Sequence, residues 1–122
     1  GDTAAANALD DYEEGTWTPT HGGNNMTGTA RYRKIGSAVT VYFDITSASG
    51  SSSSTRIGGL PFGVSTLHGA WHVGYQNTAG THVGGYVDSV TAELVCIAQG
   101  STGGVNLNAG ERLIGFAHYI AP

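Results

Sequence analysis

The chain is poor in the residues that define several common classes of protein. Its 122 residues include one cysteine and three prolines, and only 11% of them are charged. A single cysteine excludes an intrachain disulfide framework, and no apolar run approaches the ~20 residues that span a bilayer as a helix. Glycine supplies 20 residues but does not recur at every third position, which excludes a collagen triple helix. We therefore expect an ordered domain that does not insert into membranes.

Acidic residues are concentrated near the amino-terminal end. Five of the nine lie in the first 14 positions, and four of these fall within five positions: Asp10, Asp11, Glu13 and Glu14. The remaining residues carry four acids and five bases, a formal net charge of +1. Because a nearly neutral surface attracts nucleic acid only weakly, we expect no nucleic-acid partner. A neutral surface rich in glycine and hydroxyl groups is compatible with sugars as ligands.

Beyond Gly15 the hydrophobic pattern has a period of two, which is typical of β-strands. The clearest strand is Val39 to Thr46, where apolar and polar residues alternate without a break. With the turn at Gly36 and Ser37, the segment Arg31 to Ile45 predicts a β-hairpin. No convincing helix is present. Roughly eight or nine short strands between glycine-rich turns predict an all-β fold, an antiparallel β-sandwich with a jelly-roll-like arrangement.

The segment that begins at Leu67 predicts a strand with one apolar face. Alternation from Leu67 onward places Trp71, Val73 and Tyr75 on the same face as Leu67. This pattern is typical of core residues, so burial in the core is the structural alternative to a binding role for Trp71.

Residues 83–98 contain a predicted irregular strand followed by a strand predicted to be covered on both sides. Gly84 and Gly85 predict a β-bulge or a close backbone approach. Thr91 to Ala98 is apolar on both faces except at Glu93, which predicts a strand covered on both sides. Cys96 lies in this run and is expected to be a buried small hydrophobe rather than a reactive thiol.

The composition divides the chain into two parts. Residues 1–14 are predicted to be a stalk or connector, because burying their unpaired carboxylates would be costly. Residues 15–122 are predicted to form the β-sandwich domain. Trp17 is expected to anchor the connector onto that domain.

Three motifs resemble one known group of proteins. The first is LDDYEEGTWTP from Leu9 to Pro19; the others are YRKIGSAVTV from Tyr32 to Val41 and GLPF from Gly59 to Phe62. Together they resemble the opening half of C-terminal domains on bacteriophage tail fibres and tailspikes. The resemblance implies a homotrimeric β-structured tip on the virion, extracellular at the host surface and joined to the fibre through its N-terminal stalk. It implies binding to bacterial surface polysaccharide or lipopolysaccharide, or capping of the fibre, without giving residues for either.

Two sequence features favour a homotrimer. The last strands are apolar on both faces, and glycines within strands permit close approach of neighbouring backbones. If the chain trimerises, the candidate interface residues are Val95, Ile97, Ile114 and Phe116.

Aromatic and polar residues supply the candidate glycan-binding site. Aromatic rings can stack on the C–H faces of sugars, while amide, carboxylate and imidazole groups can bind hydroxyls. The candidates are Tyr42, Trp71, His72, Tyr75, Asn77, Tyr86 and Asp88. Of these, Tyr42, His72 and Tyr86 are predicted to lie on exposed faces.

No cofactor or resident metal is expected. The four clustered carboxylates lack the ligand alternation and glycine of a calcium-binding loop, which favours a solvated connector. His68 and His72 would stand roughly 13 Å apart on one strand, too far for a single zinc ion to bind both. One histidine from each of three chains could still meet a metal on a threefold axis.

The sequence favours a non-enzymatic domain. No carboxylate pair with recognisable glycosidase spacing, nucleophile elbow or phosphate loop occurs. Two alternatives to a receptor-binding domain remain. One is a trimerisation cap that binds no ligand, and the other is a polysaccharide-degrading domain whose site assembles from distant positions or between chains.

Overall fold

The computed structural model describes residues 12–48, 56–76, 82–98 and 107–122. This part of the chain contains β-strands and no helix. The strands are β1 (Tyr12–Thr16), β2 (Thr20–His21), β3 (Asn24–Asn25), β4 (Thr27–Ile35), β5 (Ala38–Thr46), β6 (Arg56–Ile57), β7 (Gly69–Gln76), β8 (His82–Asp88), β9 (Glu93–Ala98) and β10 (Arg112–Ile120). The all-β prediction is confirmed.

Eight of the strands form one curled antiparallel sheet. Their order is β1-β4-β5-β10-β7-β8-β9-β6, and β2 and β3 pair separately as a small hairpin. A bridge links the chain after β1 to the chain after β6: Thr20 N donates to Gly58 O at 3.0 Å, and Gly58 N donates to Thr20 O at 2.9 Å. The two edge regions of the curled sheet are thus tied together, so one face is enclosed and the other faces outward.

The predicted β4–β5 hairpin is confirmed. Ile35 pairs with Ala38 across the turn at Gly36 and Ser37, and the pairing continues without interruption to Thr27 and Thr46. The alternating apolar residues of β5 are fully buried, with exposed fractions of 4% or less. Each such side chain contributes roughly 1.5–3 kcal/mol by leaving water.

The enclosed face of the sheet holds the aromatic centre of the core. Trp17 meets Phe43 edge-on with ring centroids 6.4 Å apart, and Phe43 meets Trp71 at 5.9 Å. Trp17 is 8% exposed and its Nε1 donates to Arg31 O at 3.2 Å. Trp17 therefore anchors the start of the chain to the core, as predicted.

The sheet begins earlier than the sequence suggests. Tyr12 to Glu14 belong to β1 and pair with Arg33 to Ile35 of β4, so the predicted boundary at residue 14 lies inside a strand. The carboxylates are tolerated there because β1 is an edge strand and their side chains are exposed. Residues 1–11 of the predicted stalk lie outside the described residues.

A bulge in β7 overturns one prediction. Tyr75 pairs with Ile114 and Val73 pairs with Gly115, so Gly74 is an extra residue between them. Because the extra residue reverses the alternation, Val73 points into the core while Tyr75 is 49% exposed on the outer face. Leu67 also does not share the buried face, since it precedes β7 and is 68% exposed.

Several glycines are required by close backbone contacts, and two of them lie at features singled out in the sequence. Gly84 stands at the irregularity between β8 and β9, as the bulge prediction implies, with φ +126°. A Cβ there would lie 2.0 Å from Trp71 O. Gly59, in the GLPF turn, has φ +86°, and its Cβ would lie 2.0 Å from Thr18 O. Both close approaches are between segments of the same chain, so these two glycines do not require a neighbouring subunit.

The strand β9 is buried on both faces, as predicted. Leu94, Val95 and Cys96 are exposed by 4% or less. The strand begins at Glu93 rather than Thr91, because Ala92 has φ 55° in a turn whose Ala92 N donates to Asp88 O at 2.9 Å. Burial raises the pKa of the Cys96 thiol to about 12.

We expect Cys96 to be inert toward thiol reagents in the folded protein. At about pH 8 a thiol with so high a pKa is protonated, and the reactive species is the thiolate. Iodoacetamide labelling followed by mass spectrometry should modify the chain only after denaturant is added. Equal labelling rates with and without denaturant would contradict the buried position.

We expect Trp71→Phe to destabilise the fold by about 1–3 kcal/mol. Trp71 is 4% exposed and its Nε1 donates to Val95 O at 2.8 Å, so the variant removes a buried hydrogen bond and part of a buried ring system. Urea unfolding measures the difference. Tyr42→Phe, which changes an exposed ring of the outer face, is the matched control and should shift stability by less than about 0.5 kcal/mol. Equal effects of the two variants would contradict a structural role for Trp71.

Candidate functional site

The outer face of the curled sheet carries a row of exposed aromatic side chains. Strand register places Tyr42 of β5 beside Phe116 of β10, and Phe116 beside His72 of β7. We call these three residues the aromatic row. Tyr42 is 45% exposed and Phe116 is 39% exposed, while the opposite faces of the same strands are buried. Large apolar surfaces left in water often mark sites of interaction.

Local sequence explains why the row faces outward. On β5 every second residue is apolar and buried, so Tyr42 lies on the other side of the strand. On β10, Gly115 and Ala117 occupy the inner positions on either side of Phe116. Cβ added at Gly115 would lie 2.1 Å from His72 O, so this position admits no side chain without rearrangement.

The aromatic row is bordered by polar and aromatic neighbours. In the adjacent row, Thr40 pairs with His118, and their Oγ1 and Nδ1 atoms are 2.7 Å apart. The His118 ring centroid is 5.3 Å from that of Phe116, and the His72 centroid is 6.1 Å from Phe116 on the other side. Tyr86 is 37% exposed one strand further along. The face thus combines stacking surfaces with hydrogen-bonding groups.

A groove of about 520 Å³ lies at the β4 end of the aromatic row. We call it the arginine groove. Its lining residues are Glu14, Gly15, Thr16, Arg31, Tyr32, Arg33 and Tyr42. Its volume lies within the roughly 300–1,000 Å³ of small-ligand sites.

A paired charge borders the other side of the face. Arg112 donates two hydrogen bonds to the Asp44 carboxylate, Nε to Oδ1 at 2.7 Å and Nη2 to Oδ2 at 2.6 Å. This bidentate contact lowers the pKa of Asp44 and raises that of Arg112. The Arg112 guanidinium also lies 5.8 Å from the Tyr75 ring centroid. Its charge is therefore already engaged.

A second paired charge lies beside β8 and β9. Arg56 Nη1 donates to Asp88 Oδ2 at 2.9 Å and lies 3.6 Å from Glu93 Oε1. Val90 N donates to Asp88 Oδ1 at 2.8 Å. The Arg56 hydrogen bond, followed by that from Val90, lowers the pKa of Asp88 to about 2.

Three of the predicted site residues are corrected by their burial. Trp71 lies in the core with a satisfied indole N–H, so it offers no face to a sugar. Asp88 is 8% exposed and both its oxygens accept hydrogen bonds within the chain. Val95 is 4% exposed in a single chain and is not available to a neighbouring subunit.

The other candidates converge on one face. Tyr42, His72, Tyr75 and Tyr86, predicted for glycan binding, are exposed there. Phe116, predicted for the trimer interface, lies among them, with Ile114 and Ile97 partly buried on the same face of their strands. Asn77 lies outside the described residues. The two predicted sites therefore overlap in space.

Sequence reasoning missed Arg31 and Arg33, although a signal for them was present. A two-residue turn at Gly36 and Ser37 fixes the hairpin register, which pairs Arg31 with Tyr42 and Arg33 with Thr40. Counting outward from the turn would have placed both arginines on the exposed face beside Tyr42.

The described residues show no group of three or more side chains suited to hold a metal ion. Of the clustered carboxylates, Glu13 accepts a hydrogen bond from Tyr32 Oη at 2.7 Å and Glu14 accepts one from Tyr12 Oη. Asp10 and Asp11 lie outside the described residues. His68 accepts a hydrogen bond from Ser89 N at 3.0 Å.

Besides Thr40 and His118 on the outer face, a second hydroxyl–imidazole pair has the distance expected of a nucleophile and its base, but a substrate has no access to this second pair. His21 Nδ1 lies 2.7 Å from Ser47 Oγ. Their exposed fractions are only 3% and 2%. This pair therefore contributes to packing rather than to an open site.

Comparisons with protein-family models, with curated proteins and with solved structures find no match to this chain. Within the described segments there is no helix of the length and apolarity needed to cross a bilayer.

We expect Asp88 to contribute stability that depends on pH. Its pKa in the folded protein is about 2 against an ordinary value of 3.8. The ionised carboxylate therefore stabilises the folded state above about pH 4, and this contribution is lost as the pH falls toward 2. Asp88→Asn should lower the Tm at about pH 6 and show a shrinking deficit below about pH 4.

Thermal unfolding by circular dichroism at a series of pH values measures this difference. In an Arg56→Met background the same substitution should cost less at neutral pH, because the partner charge is already absent. A deficit of the same size at all pH values would contradict the ion-pair explanation.

Proposed function

We propose that this chain is the receptor-binding tip of a bacteriophage tail fibre or tailspike, and that it binds bacterial surface glycan without enzymatic activity. The motif resemblance from Leu9 to Phe62 supports the phage assignment. We further propose that the curled sheet assembles as a jelly-roll-like β-sandwich within a homotrimer. The tip would lie on the virion, extracellular at the host surface, joined to the fibre through the segment that precedes β1.

The observation that supports glycan binding best is the exposure of the aromatic row. Burying one aromatic ring removes up to about 150–250 Å² from water, so rings left exposed forgo substantial stabilisation. Tyr42 and Phe116 are exposed on the strands whose other faces form the core. Thr40, His118 and His72 provide hydrogen-bonding groups within the same surface. Stacking surfaces flanked by such groups suit the apolar and hydroxylated faces of a sugar ring.

A second function is favoured by the position of Phe116 and Ile114. These residues were expected at the trimer interface, and both lie on the outer face, next to or within the aromatic row. If this face packs against another subunit, the domain acts as a trimerisation cap. The two functions predict different oligomeric states when an aromatic side chain of the row is replaced by alanine.

We expect Phe116→Ala and Tyr42→Ala to weaken binding to purified bacterial polysaccharide and lipopolysaccharide on an array by about tenfold, since central aromatic contacts commonly contribute more than 1 kcal/mol. Val90→Ala is the matched control, because Val90 is an apolar residue 87% exposed away from the row. The wild-type array first identifies the ligand with which each variant is compared.

Size-exclusion chromatography with light scattering on the same proteins separates the two functions. A trimer near three times 12.5 kDa that persists in Phe116→Ala, with binding lost, supports the glycan site. Loss of the trimer in Phe116→Ala supports the cap. A monomeric wild type would contradict trimerisation by these residues, and unchanged glycan binding by both row variants would contradict the site.

A further inference from the structure

We infer that the arginine groove is a subsite for an acidic sugar, in which Arg31 binds the oxyanion of a carboxylate or phosphate group and Tyr42 stacks against the sugar ring. The inference rests on the proposed glycan binding and narrows the chemical class of the ligand. The body of the chain is nearly neutral overall, so the preference for an acidic sugar comes from the local charge of the groove rather than from the composition.

The geometry brings a cation and an aromatic ring together at the floor of the groove. Arg31 and Tyr42 are directly paired on β4 and β5. Directly opposed residues of antiparallel strands have Cβ atoms about 4.5–5.5 Å apart. Both side chains are exposed and both line the groove. A pyranose lying on the Tyr42 ring would therefore present a substituent to the Arg31 guanidinium.

Among the basic residues of the described segments, the arginines other than Arg31 have an acidic partner. Arg56 is held by Asp88 at 2.9 Å, and Arg112 by Asp44 at 2.6 Å. Arg31 makes no ion pair with any acidic residue in the described segments. Its guanidinium is a planar fork of donors that matches the two oxygens of a carboxylate or phosphate.

The carboxylate of Glu14 does not cancel this charge. Glu14 Oε2 lies 4.0 Å from Arg33 Nε and accepts the Tyr12 hydroxyl hydrogen bond. Among the described lining residues, two guanidinium groups and one carboxylate add up to a single net positive charge. Thr16 adds a hydroxyl at the groove wall. The lining is thus suited to an oxyanion on a hydroxylated ring.

The groove continues into the aromatic row. Tyr42 belongs to both, and the row then crosses Phe116 to His72. From β4 to β7 this path crosses three strand spacings, about 14 Å. The length suits an oligosaccharide with its acidic unit at Arg31 and its remaining units over the row.

Isothermal titration of the 122-residue chain with three probes tests the inference. The probes are a neutral glucose tetrasaccharide and two tetrasaccharides of the same length in which one unit is replaced by glucuronate or by glucose 6-phosphate. We expect the acidic probes to bind more tightly than the neutral one, with an affinity that falls as salt is raised. Arg31→Gln should reduce the affinity for acidic probes about tenfold or more, and Arg31→Lys should reduce it less. Preference between the carboxylate and phosphate probes identifies the source of the oxyanion.

Arg112→Gln is the matched control, since it removes the same charge from the same face at an arginine already paired with Asp44. It should leave the preference for acidic probes in place. Binding of acidic probes by Arg31→Gln at wild-type strength, or failure of the wild type to bind either acidic probe, overturns the inference. If the inference fails in this way but the protein still binds neutral glycans or polysaccharide on the array, the proposed function is unaffected. If the wild type binds no glycan at all, both the inference and the proposed function are contradicted.

Discussion

The pairing of β4 with β5 through the turn at Gly36 and Ser37 is the constraint on which the rest of this structure depends. Because the side chains of a strand alternate, this one register sends the apolar residues of β5 into the core and Tyr42 outward. β10 then pairs with β5 along its whole length and extends the same two faces to Phe116. A slip of one residue would exchange the buried and exposed sets, so the core and the aromatic row are specified together.

The exposed face presents a choice between two uses of the same surface. Residues chosen from the sequence for glycan binding and residues chosen for subunit contact lie on one face, with Phe116 between Tyr42 and His72. A surface packed against another subunit cannot also bind sugar, unless subunits meet at its edge and leave the groove between them. Val95 is buried within its own chain, so it adds no exposed surface to an interface between subunits.

Two of the few arginines form ion pairs with acidic residues, an arrangement that the composition does not reveal. Arg56 and Arg112 are engaged with Asp88 and Asp44, and each pair lowers the pKa of its carboxyl group. Pairing of this kind fixes side chains and neutralises local charge. The lining of the arginine groove, by contrast, keeps a net positive charge beside the ring of Tyr42.

The sequence by itself determined the all-β class, the β4–β5 hairpin, the buried state of Cys96 and the anchoring role of Trp17, because local periodicity and turn residues encode them. Alternation also predicted that Tyr42, His72 and Tyr86 lie on the exposed face, but only the tertiary structure decided that Tyr75 joins them. The extra residue Gly74 turns Tyr75 outward, and the alternation of apolar and polar residues does not predict this bulge. The hydrogen bond from Trp71 to Val95, the pairing of Asp88 with Arg56, and the meeting of β1 with Arg31 and Arg33 all join residues distant in the chain. Such contacts depend on strand order and register across the whole sheet, which a pattern of period two does not specify.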